Sequence, residues 1–86
     1  METMQRVNVF AEQRNGKTFY QSGMFSRKKT VEEIMRHYGL SMIGVRIYAN
    51  SKKVEPEKTL NDLMPGPVCF LSFIYGDAEL PKRKKS

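Results

Sequence analysis

The sequence predicts an α+β fold: a mixed sheet of short strands with a single helix packed across one face. Three observations predict it. Apolar and polar residues alternate from Val7 to Glu12, the period of a half-buried strand. Val31, Ile34, Met35 and Tyr38 fall at i, i+3, i+4 and i+7, one apolar helical stripe. The run VCFLSFIY, residues 68–75, is apolar almost throughout, as a central strand should be. One helix cannot cover both faces of a sheet, so the second face is left to solvent.

The elements follow in order. Val7, Val9 and Ala11 share one face of the first strand, and Asn8, Phe10 and Glu12 the other. Asn15-Gly16 predicts a hairpin turn, because both residues tolerate positive φ. The return strand is expected from Thr18 to Phe25, with Gly23 marking a bulge or a twist. Thr30 and Glu33 have the spacing of a capping box at the helix start, and Gly39 supplies its left-handed stop. Residues 45–48 make a third strand, NSKK a turn, and Val54 opens a short fourth strand stopped by Pro56. TLNDLM reads as a single helical turn, closed by PGP.

The 86 residues make one domain, 7–75, between an N-terminal extension, 1–6, and a basic flexible tail, 76–86. The formal charge is +6, of which the tail supplies +2 and the body +4. An excess of this size favours anionic partners without identifying one. No apolar run has membrane-spanning length, so no membrane role is expected. The N-terminus lacks a signal peptide's apolar centre, and Cys69 is the sole cysteine, so an intracellular, reducing compartment is expected.

Catalytic chemistry is not expected. His37 sits in the helix's last turn without a nucleophile beside it, and Cys69 lies inside an apolar strand. One histidine and one cysteine cannot close a zinc site, and no glycine-rich phosphate loop is present. Neither cofactor nor small-molecule substrate is implied.

The order strand, strand, helix, strand, short strand, helical turn, strand resembles the ubiquitin-like β-grasp family. NGKT stands at that family's first turn and TVEEI at its helix start. RIYANSKKV and KTLNDL are similar to its third strand, turn, fourth strand and following Thr-Leu-x-Asp turn. The resemblance implies a binding module rather than an enzyme. Modifiers of the family end in Gly-Gly, which this sequence has nowhere, so a conjugated modifier is not expected. The family's open sheet face often carries an apolar patch that protein partners grip. Its equivalents here are Phe10, Tyr48, Phe70, Ser72 and Ile74, beside Arg46. On the opposite phase, Cys69, Leu71 and Phe73 would face the helix with Val7, Val9, Phe19, Ile34, Tyr38, Ile47 and Leu60.

An alternative reading is a nucleic-acid module. Lys17, Arg46, Lys52 and Lys53 would rim the same face, with Phe10 or Tyr48 stacking on unpaired bases. PKRKKS resembles a short nuclear-import signal, carried by Lys82, Arg83, Lys84 and Lys85, which suggests a nuclear location. A third reading, compatible with the first, makes the chain one domain of a longer protein or lets it assemble through its edge strands.

Overall fold

Period-two alternation carries the first hairpin. β1 (Met4–Glu12) and β2 (Thr18–Ser26) pair antiparallel in an unbroken register from Met4 opposite Ser26 to Glu12 opposite Thr18. The computed structural model describes residues 3–76. β1 begins at Met4, three residues before the expected strand, and Gln5 at its start is buried. Gln5 holds its place by hydrogen bonds: its amide donates to the Gly66 and Pro67 carbonyls, and its Oε1 accepts from Arg27.

The hairpin turn falls at the expected Asn15-Gly16 but uses positive φ at one of the two residues. Only Gly16 has positive φ, at 88°, and the Gln13 amide donates to the Lys17 carbonyl. The loop is therefore Arg14–Gly16, with glycine at the left-handed position of a three-residue connection. Gly23 marks no bulge. It sits in regular pairing with Val7, and a β-carbon there would lie 2.8 Å from the Tyr38 hydroxyl.

α1 (Val31–His37) starts at the expected capping box. The Thr30 hydroxyl accepts from the Glu33 amide, and the Glu33 carboxylate accepts from the Thr30 amide. α2 (Leu60–Leu63) repeats the device with Thr59 and Asp62. The two helix starts face each other: Val31 donates to the Lys58 carbonyl and Leu60 to the Lys29 carbonyl.

β3 (Val45–Ala49), β4 (Lys52–Lys53) and β5 (Val68–Tyr75) complete the sheet, in the order β2-β1-β5-β3-β4. β5 is central, as its composition requires, parallel to β1 and antiparallel to β3. The fourth strand lies on the two lysines rather than at Val54, because the turn is confined to Asn50 and Ser51, both at positive φ. The Asn50 side chain fixes that turn by accepting from the Phe70 amide and donating to the Pro65 carbonyl.

The core lies between the sheet and α1. Val7, Val9, Ala11, Ile34, Met35, Ile47, Leu60, Cys69, Leu71 and Phe73 are buried, and Phe19 and Tyr38 pack against them half-buried. The helix-facing phase expected for β1, β2, β3 and β5 thus places its residues inward. Among the described residues, no helix covers the opposite phase, which forms the outer face.

Candidate functional site

Cross-strand pairing builds the outer face residue by residue. Tyr20 lies opposite Phe10, Phe10 opposite Ser72, Ser72 opposite Tyr48, and Tyr48 opposite Lys53, one row across all five strands. Beside it runs a second row, Ser22–Asn8–Phe70. Phe70 is 51% exposed and Tyr20 66%. Phe10 and Tyr48 are half-buried on either side of the small Ser72, so two aromatic side chains border a shallow dip.

Phe10, Tyr48, Phe70 and Ser72 therefore come together as the strand phase implies. Ile74 does not join them at the surface. It shares their phase, yet it is fully buried. Its cross-strand neighbours are Glu12 and Arg46, and its diagonal neighbours are Phe10 and Tyr48. Long side chains on both flanking strands neighbour this one residue of the central strand, which accords with its burial. Arg46 is half-buried, and its guanidinium donates to the Gly76 carbonyl. It acts as a clamp on the end of β5 as well as a charge beside the face.

Of the four residues proposed as a basic rim, Arg46 and Lys53 share the outer-face phase, and the other two are set apart from them. Lys53 lies on the outer face opposite Tyr48. Lys52 pairs with Ala49 and shares the helix side. Lys17 sits at the foot of the hairpin loop, where its amide donates to Asn15 Oδ1. Lys82, Arg83, Lys84 and Lys85 lie outside the described residues.

The sequence reading missed the members of the face that lie on β2 and at the start of β1. Tyr20 and Met24 project from β2, and Met4 and Arg6 from β1, all exposed. The signal was present. If Phe19 faces the helix, its neighbour Tyr20 faces out, and Met24 follows four residues later.

The histidine and the cysteine lie away from this face. His37 is exposed on the helix side, edge-on to Phe25 and Tyr38. Burial pushes the Cys69 thiol up to about 11, far from a reactive thiolate. Among the described residues no three of His, Cys, Asp and Glu cluster as metal ligands, and no helix is long and apolar enough to cross a membrane.

No protein-family model matches the chain, and no curated protein matches it in sequence. Solved structures do match. A designed protein based on ubiquitin superposes with a TM-score of 0.54 at 17% identity, over 90% of this chain and 96% of that one. The ubiquitin of Caldiarchaeum subterraneum gives 0.59 at 12%, over 85% and 96%. An Arabidopsis thaliana protein, solved by combining evolutionary couplings with sparse NMR data, gives 0.53 at 13%, over 92% and 96%. The chain has the ubiquitin-like β-grasp fold: a mixed five-stranded sheet with its helix across one face.

Proposed function

We propose that this ubiquitin-like domain is a non-enzymatic interaction module that docks a protein partner on the outer face of its sheet. One observation carries the reading. An aromatic row, Tyr20–Phe10–Ser72–Tyr48, with Phe70 beside it, lies on the face the helix leaves open. Aromatic side chains held by a rigid sheet lose little rotamer freedom on docking and remove much apolar area from water.

The test is photo-crosslinking from the face itself. A crosslinking amino acid at Tyr48 should give a discrete adduct in cell extract, and one at Lys58, remote from the row, should not. Tyr48→Ala should abolish capture by the immobilised domain while its amide spectrum stays dispersed. Equal capture by both forms sinks the reading.

A second reading has its own support. Lys53 and Arg6 share the outer face with the aromatic row, and the chain carries a formal +6. Phosphates could meet these cations while bases stack on Tyr20 or Phe10. Titration with a short single-stranded RNA at low and moderate salt separates the two. Shifts on the aromatic row that fade with salt favour nucleic acid; their absence at both salts favours protein.

A further inference from the structure

We propose that the free edge of β2 is a self-pairing surface, and that two copies of the domain join there around a two-fold axis at Ser22. The strand lies at one end of the sheet order, so among the described residues one of its edges has no partner strand.

Hydrogen bonds on either side of the hairpin ladder fix which backbone groups face that edge. Arg27 donates to the Thr3 carbonyl and Gln13 to the Lys17 carbonyl, so the bonded pairs of the hairpin are the odd-numbered ones. The N–H and C=O groups of Tyr20, Ser22 and Met24 therefore point outward along the open edge. Proteins usually blunt such an edge with charges, proline or a bulge. From Thr18 to Ser26 this strand has none of these over nine residues in unbroken register.

The sequence identifies a second copy as the occupant, because the strand complements itself. About Ser22, Thr18 mirrors Ser26, Phe19 mirrors Phe25, Tyr20 mirrors Met24 and Gln21 mirrors Gly23. An antiparallel pair centred there sets Ser22 against Ser22 as a hydrogen-bonded pair. It sets Tyr20, exposed on the outer face, against Met24 of the other copy, also exposed. On the helix side, Phe19 of the second copy comes opposite Phe25, at a groove of about 590 Å³ lined by Gly23, Lys29, Glu33, His37 and Tyr38. Charge favours the same edge. The opposite edge of the sheet carries Lys52 and Lys53, which would meet their own kind, whereas β2 is uncharged in a chain of net charge +6. The contact is isologous and closes at two copies, giving a ten-stranded sheet with both outer faces on one side.

One strand edge with its flanking side chains is smaller than the ~1,000 Å² of a stable interface, so the dimer should be weak. Sedimentation velocity of the full chain from about 10 μM to about 1 mM should show a concentration-dependent dimer. Ser22→Lys and Ser22→Glu, at an exposed site, should each be monomeric, and an equimolar mixture of the two should dimerise. Amide spectra report whether each variant folds. Should either fail to fold, Tyr20→Lys combined with Met24→Glu brings opposite charges together across the axis and should still dimerise. A wild-type monomer throughout the range overturns the proposal. So does a dimer indifferent to Ser22→Lys, or a charged mixture that stays monomeric.

Discussion

The two faces of the sheet are made by alternate residues of the same strands, yet they meet different surroundings. On β5, Cys69, Leu71 and Phe73 are buried beneath the helix, while Phe70 between them is half exposed. The helix-side residues carry the stability of the fold. The outer-face residues are free to vary with function, because removing one of them uncovers little. Ile74 is the exception that makes the comparison informative, since it has outer-face phase and core burial.

The largest effect expected from breaking the inner face is at Phe73. Phe73→Ala should cost about 3–5 kcal/mol in a urea titration, enough to threaten folding of so small a domain. Ile74→Ala comes next, at about 2–4 kcal/mol. That value would assign Ile74 to the core despite its phase. A loss near zero would return it to the surface patch and undo the account of its flanking neighbours.

The paired helix starts should contribute less, and with a pH signature. The Thr30 and Thr59 amides, each donating to a carboxylate, hold Glu33 and Asp62 below their ordinary values of 4.5 and 3.8. A carboxylate lowered in the folded state stabilises above its ordinary value, and that contribution disappears as the pH falls through the lowered one. The urea midpoint should therefore hold steady from neutrality to about pH 5 and then decline. Glu33→Gln with Asp62→Asn should flatten the decline, and Thr30→Ala should cost about 1 kcal/mol at neutral pH. A decline unchanged in the double variant would place its cause in other carboxylates.

Much of this was legible in the sequence. Strand phase separated Phe10, Tyr48 and Phe70 from Val7, Val9 and Phe73, and the spacing of Thr30 and Glu33 announced the first capping box, while the second, Thr59 with Asp62, went unread. What was not legible depends on pairing. A two-residue loop on Asn15-Gly16 would set Arg14 against Lys17 and turn Tyr20 toward the helix, against the phase that Phe19 implies, and the sequence alone does not choose between these two signals. The three-residue loop sets Gln13 against Lys17 and brings Tyr20 opposite Phe10. Burial of Ile74 depends on the neighbours that Glu12 and Arg46 become only after β1 and β3 flank β5. Burial of Gln5 likewise needs the Gly66 and Pro67 carbonyls, some sixty residues away.

The smallest stability effect is expected where the functional effect is largest. Phe70→Ser exchanges a half-exposed ring for a small polar group on a strand already pinned by Asn50, whose Oδ1 accepts from the Phe70 amide whatever the side chain. Stability should move by less than about 1 kcal/mol, as for most surface changes. Capture of a protein partner should nevertheless fall at least tenfold, because a ring near the centre of a docking face is the kind of residue that dominates affinity. If Phe70→Ser unfolded the domain, the division of labour between the faces would be wrong. If it changed neither stability nor capture, the face would be uncovered sheet without a function, and the edge at β2 would be the surface left to explain.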